Sequence, residues 1–162
     1  MTGPSAPHKP AEIRCAQPDG AVLFRGTNLR VRVAVLKPGF VLLSASGEVA
    51  NALDTSVEQA LFAELDQELE RAGALTLFVD LRESPRMPAA SRAKVAQWMR
   101  RHQARLLPSH ALVQSKAMEM ALSIITMLVG GGLFKIHTRP QVFLDLVRKA
   151  APKLTALPSV PE

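Results

Sequence analysis

A chain of 162 residues, 48% of them hydrophobic, is long enough to bury one core and suggests a single domain. Its one cysteine, Cys15, excludes an internal disulfide and any cysteine-based metal cluster. The net charge of +6 admits an anionic partner, but the charge is segregated along the chain rather than spread over it.

Residues 1–11 are rich in proline and lack periodicity, which predicts a disordered tail before a domain spanning 12–151. They contain no apolar core of a secretory signal, so the expected location is the cytoplasm. Glu12 to Ala16 can pair weakly with a neighbour. After the turn Pro18-Asp19-Gly20, Ala21–Arg25 is a short strand candidate. From Leu29 to Leu36, Leu29, Val31, Val33 and Val35 alternate with Arg30, Arg32 and Ala34, the pattern of a half-buried strand. Lys37-Pro38-Gly39 then turns the chain into a partner strand, Phe40–Ala45, giving a hairpin.

A first helix is predicted over Ser56–Ala72. Thr55 and Glu58 have capping-box spacing, Val57, Leu61, Leu65 and Leu69 form a stripe, and Gly73 suits the helix end. The run Leu75–Leu81 reads as a strand buried on both faces, with Asp80 expected at its C-terminal end and Arg82-Glu83-Ser84 closing it. A carboxylate there, facing a loop and a helix start, marks the functional edge of an open α/β sheet.

Pro88 is placed to begin a second helix that runs to Leu106, with Val95, Trp98, Met99 and His102 on one face. Trp98 is expected in the core. His102 has no Cys or second His at ligand spacing and reads as a packed histidine. The two helices differ in charge. Glu48 to Arg71 holds seven acids against Arg71 alone, while Arg82 to Arg105 holds seven bases against Glu83 alone. The plain reading is two neighbouring faces that attract each other; the sharper one is a basic face for an anionic partner.

A strand at His110–Gln114 leads to Ser115, an N-cap candidate. In the helix that follows, Met118, Ala121, Leu122, Ile125, Leu128 and Val129 form a stripe. Ile124 and Met127 widen it, which predicts a helix buried on most sides. The apolar window 117–134 contains Glu119 and ends in Gly130-Gly131-Gly132, so it falls short of the roughly 20 uninterrupted apolar residues of a membrane span. Those glycines follow a helix; a phosphate-binding loop would place them after a strand, and no nucleotide or other cofactor is predicted. Leu133–His137 is a last strand. A last helix follows, with Thr138 as cap, Pro140 in the first turn and Gln141 at capping-box spacing, and residues 152–162 form a C-terminal tail.

Alternation of strands and helices after an opening hairpin predicts an α/β fold. The expected form is a mixed, mainly parallel sheet of four to six strands, covered by about four helices. The motifs S-A-S-G-E-V (44–49), F-V-D-L (78–81) and F-K-I-H-T-R-P-Q-V-F-L-D-L-V (134–147) resemble those of a STAS domain, also called SpoIIAA-like. That is the fold of bacterial anti-sigma factor antagonists and of sulphate-transporter tails, and the Sec14-like lipid-binding fold shares its pattern. The resemblance covers roughly 31–150. In the antagonists, a strand ending in aspartate is followed by a loop methionine and then Asp-Ser-Ser, one serine of which a partner kinase phosphorylates. Asp80 and Met87 match the strand and the loop, but Pro88, Ala89 and Ala90 stand where Asp-Ser-Ser would be. Ser91 comes next, slightly out of register. The resemblance therefore implies a regulatory fold without its usual acceptor, with Ser91 as a residual candidate.

These readings converge on a non-enzymatic, bacterial interaction module. Its partner-binding edge would comprise Asp80, Arg82, Ser84, Arg86, Met87, Ser91 and Arg92, and its partner would be another protein. The alternative is a binding domain for a lipid or other anionic small molecule, held by Arg82, Arg86 and Arg92 near a helix start. The mark of that alternative would be a pocket between the basic helix and the helix at 118–129. No catalytic constellation or metal set is legible, because the four histidines are scattered and no activated nucleophile stands near Asp80. Nucleic acid is disfavoured, since the basic helix lacks exposed aromatics for stacking.

Overall fold

The computed structural model describes residues 13–130 and 132–162, so the expected tail at 1–11 lies outside the described residues. The described strands form one seven-stranded sheet in the order β1-β2-β3-β4-β5-β6-β7. They are β1 (Arg14–Ala16), β2 (Val22–Arg25), β3 (Arg30–Lys37), β4 (Phe40–Ser46), β5 (Thr76–Glu83), β6 (Ser109–Leu112) and β7 (Phe134–His137). The helices are α1 (Ala52–Ala72), α2 (Ala89–Arg101), α3 (Lys116–Val129) and α4 (Pro140–Ala150). The first four strands pair antiparallel, and β4 to β7 pair parallel. The sheet thus exceeds the expected four to six strands. Part of the excess is β1, only three residues long, which is too short to show an alternation in the sequence.

Strand order equals chain order, so the three parallel crossovers all step the same way along the sheet. Crossovers of one hand then place α1, α2 and α3 on the same face. That face carries the main core, including Val31, Leu43, Leu77, Trp98, Met118 and Ile125. The opposite face carries a smaller core of Leu42, Phe78, Leu112, Phe143, Val147 and Ala150 under α4. Alternation along β5 serves both, because Leu77 and Leu81 point to one core and Phe78 to the other. A central strand buried on both faces is what its unbroken apolar run requires.

Local details depart from the sequence expectations for identifiable reasons. α1 begins a turn earlier than Ser56, because Asn51 rather than Thr55 is the cap and accepts from the Asp54 backbone N–H at 3.1 Å. β5 continues through Arg82 and Glu83, past the expected stop, since Ser46 of β4 still pairs with Glu83. Pro88 takes the N-cap position in extended backbone (ψ 152°), and α2 ends at Arg101 before a 3-10 turn, Gln103–Arg105. α4 has Arg139 rather than Thr138 at its cap, and the Gln141 amide donates to Asp145 instead of closing a capping box.

The largest correction concerns α3. Only one of its faces is covered: Met118, Ala121, Leu122, Ile125 and Val129 meet the sheet and α2, while Met120, Ile124, Met127 and Leu128 are exposed. The reason is positional, since α3 closes the layer over the β6–β7 end and no described element packs outside it.

Residues 152–162 lie along the smaller-core face. Leu154 and Leu157 pack against that core and Val160 is buried. The Arg25 guanidinium donates to Glu162 O at 2.8 Å, and that of Arg30 to Pro161 O at 3.0 Å.

Candidate functional site

The edge where β4 and β5 end and α2 begins is built around a tight approach of three segments. Gly47, with φ +82°, donates to Glu83 O at 3.0 Å, and its carbonyl accepts from the Ser84 hydroxyl at 2.5 Å. A Cβ at Gly47 would collide with the Asn28 carbonyl, so this crossing requires glycine on both conformational and steric grounds.

The end of β5 at Glu83 divides the residues that the sequence groups together, because Ser84 and those after it no longer follow the alternation of the strand. Asp80 and Arg82 point to the α4 face, where Asp80 is buried and bound to the Arg82 guanidinium at 2.9–3.3 Å. The Asp80 hydrogen bonds hold the Arg82 guanidinium charged, against the opposing effect of burial. Pro158 and Val160 of the C-terminal segment stand over this pair. Ser84, Arg86, Met87 and Ser91 gather on the other side, where α1 and α2 flank the sheet. Arg92 spends a guanidinium N–H on the Met87 carbonyl at 2.8 Å, bracing the loop that precedes its own helix.

The acidic and basic helices face each other. Lys94 reaches Glu58 at 3.1 Å, Arg86 reaches Glu48 at 3.4 Å, and Arg105 reaches Glu70 at 3.4 Å. The Trp98 indole donates to Asp66 at 2.8 Å, and His102 Nε2 lies 3.1 Å from the same oxygen. Trp98 is buried, as expected, and stacks on Phe62 of α1 at 5.8 Å. Most of the basic residues of α2 are thus engaged within the molecule, in line with the plain reading of the charge segregation.

Apart from the Phe62–Trp98 stack, α1 and α2 do not close on each other beneath these polar bridges. They span an apolar cavity of about 160 Å³. Its floor includes Leu43, Leu77 and Val79. Leu61 and Phe62 of α1 form one wall, and Val95 and Trp98 of α2 the other. It extends past α2 to Met118 and Ile125 of α3, but it lies between α1 and α2 rather than between α2 and α3, where the sequence places the expected pocket. Ser84, Arg86, Met87 and Ser91 line its end beside the start of α2.

The start of α2 resembles that of α4. No side chain caps α2, and no acidic residue stands in its first turn. Its N–H groups therefore keep their positive end uncompensated. Ser91 is 4% exposed, and its hydroxyl has no hydrogen-bond partner among the described residues.

A second feature escaped the sequence. Met120, Ile124, Met127 and Leu128 form one stripe on the outside of α3, with Met127 81% exposed. At its C-terminal end Arg100 donates to Leu128 O at 2.9 and 2.7 Å, setting a guanidinium beside the stripe. The available signal was the breadth of apolar residues around α3, read as burial because composition alone cannot say whether a neighbour exists.

Among the described residues, no three His, Cys, Asp or Glu side chains gather as a metal set, and no helix is long and apolar enough to cross a membrane.

The fold is of the STAS, or SpoIIAA-like, type. An uncharacterized DUF3478 protein with a SpoIIAA-like fold from Shewanella loihica PV-4 superposes with a TM-score of 0.54 at 12% identity, covering 74% of this chain and 93% of that one. An anti-sigma factor antagonist from Mycobacterium paratuberculosis gives a TM-score of 0.49 at 17% identity, covering 83% and 99%. No family model and no curated protein matches the chain.

Proposed function

We infer that this protein is a non-catalytic regulatory domain that works by docking another protein on the outer face of α3. The observation that carries the reading is the exposed stripe Met120, Ile124, Met127 and Leu128. A contiguous apolar patch left in water by a folded chain marks an interaction surface. The partner it suits is a protein with an apolar stripe of its own, ending in an acidic group opposite Arg100. Burial of both serines at the β5–α2 edge supports a module that does not depend on their phosphorylation: Ser84 and Ser91 are each about 5% exposed or less. The cytoplasm is the compartment this reading assigns.

A photo-crosslinking residue at position 127, with a second at the exposed position 142 on α4 as control, tests it in the native host. The expected result is one discrete protein adduct from position 127 alone, lost when Ile124→Asp is added. Adducts to lipid only, or equal labelling from both positions, would refute it.

The cavity under α2 favours a second reading, a small-molecule-binding domain, which is compatible with the first because α3 contributes to both surfaces.

A further inference from the structure

We propose that the cavity between α1 and α2 binds a medium-chain carboxylic acid, with its tail among the apolar side chains and its carboxylate at the start of α2. The proposal rests on the second reading above, that the cavity is a binding site, and adds the chemistry of its occupant.

Size comes first. A dry apolar cavity of about 150 Å³ takes up benzene, and the cavity here measures about 160 Å³. An alkyl chain of roughly six to eight carbons is of matching bulk. The walls offer such a chain only carbon and sulfur along most of their length, from Val79 and Val95 to Met118 and Ile125. Polar lining groups away from the α2 end are already satisfied. Thr126 donates to Leu122 O at 2.9 Å, and Glu58 holds Lys94.

The α2 end differs. Ser84 is engaged with Gly47 O, but Ser91, a buried residue that lines the cavity, makes no side-chain hydrogen bond among the described residues. A polar side chain on a buried residue normally has a hydrogen-bond partner. It stands in the first turn of a helix whose N-terminal N–H groups have neither a capping side chain nor an acidic neighbour.

The charge at this end centres on Arg86. The two carboxylates that line the cavity are each paired with a base, Glu58 with Lys94 and Glu48 with Arg86, so the positive end of the helix dipole is not offset by a free acid. Arg86 is free to respond, since it is 71% exposed and its contact with Glu48 is long, at 3.4 Å. An anion at a helix start, beside a hydroxyl and a guanidinium, meets three kinds of donor at once. A cation there would face the positive end of the helix dipole.

Trp98 is the only tryptophan and lines the cavity, so its fluorescence reports occupancy directly. The purified full chain is titrated with octanoate, 1-octanol and octylamine, each below its micelle concentration, with thermal stability measured in parallel. The proposal expects a saturable change in Trp98 emission and a raised Tm with octanoate. Octanol should bind at least tenfold more weakly, and octylamine should give no saturable change. Arg86→Gln and Ser91→Ala should each weaken octanoate about fivefold while leaving octanol unchanged. Equal binding of octanol and octanoate would overturn the anionic head and leave a purely apolar site. Absence of any saturable response to all three would overturn the cavity as a binding site, and with it the second reading. An octanoate response that survives both substitutions would place the carboxylate elsewhere and overturn the proposal.

Discussion

Asp54 shows how much one side chain can organise. It is fully buried in the first turn of α1. Its carboxylate accepts from the backbone N–H groups of Asn28, Leu29 and Ala50 at 2.9, 3.1 and 3.0 Å, and from the Asn28 amide at 3.2 Å. Burial alone would raise its pKa, but these donors outweigh it and bring the group down to about 2. The sign of the consequence follows. A carboxyl that titrates lower when folded stabilises the fold above its ordinary value near 3.8, and that stability is lost as pH falls toward 2. The shift corresponds to about 2 kcal/mol. Asp54→Ala should therefore lower unfolding free energy by about 2–4 kcal/mol in urea titrations at pH 7, because three backbone donors lose their acceptor. The same variant should flatten the acid limb of the stability curve. Gly47 is the companion case: Gly47→Ala should be strongly destabilising, since it meets both a left-handed φ and the Asn28 carbonyl.

At the scale of elements, the two faces of α3 make opposite predictions. Ile125 is 1% exposed in the main core, and Ile125→Ala should cost about 2–5 kcal/mol in chemical denaturation. Met127→Glu, one turn of surface away, should change stability by no more than about 0.5 kcal/mol. A large loss from Met127→Glu would mean that the stripe is packed rather than available.

The β6–β7 pair carries a pH response. His110 Nδ1 and His137 Nε2 lie 3.0 Å apart, with Phe78 stacked on His110 at 5.7 Å. Burial lowers the pKa of both rings. His137, Lys135 and Lys149 lower His110 further, and Lys135 does the same to His137. A histidine whose folded pKa lies below its ordinary value of 6.5 binds its proton more readily in the unfolded chain. Stability should accordingly decline as pH drops below 6.5 and stop declining once the folded rings protonate. Urea midpoints at pH 7.5 and pH 5 would measure it, and His137→Asn should shrink the difference.

For the whole molecule, the C-terminal segment is the element whose removal tests the architecture. Val160 is buried, and Arg25 and Arg30 hold the last two carbonyls. Deleting 153–162 should lower the Tm and uncover Asp80 and Arg82, measured as faster amide exchange along β4 and β5. An unchanged exchange pattern would show that the smaller core stands without the segment.

The sequence by itself determined the elements that rest on local rules. The alternation at 29–36 and the proline-glycine turn at 38–39 dictated the hairpin, because pleat and turn chemistry act over a few residues. The apolar run around Phe78 dictated a strand covered on both sides, and the order of strands and helices then left one α/β architecture. Trp98 and the attraction between the acidic and basic helices were equally legible, since a large ring and opposite charges declare their preferences singly. The tertiary structure alone decided what each element faces. It sent Asp80 and Arg82 away from Ser84 and Ser91, because β5 ends at Glu83 and the chain turns out of the strand before Ser84, a change of direction that sequence proximity does not record. It left half of α3 in water, because periodicity defines an apolar face without supplying a neighbour. It also opened a cavity beneath salt-bridged helices, because whether two surfaces meet depends on the shapes of side chains brought together from distant segments, which no local pattern records.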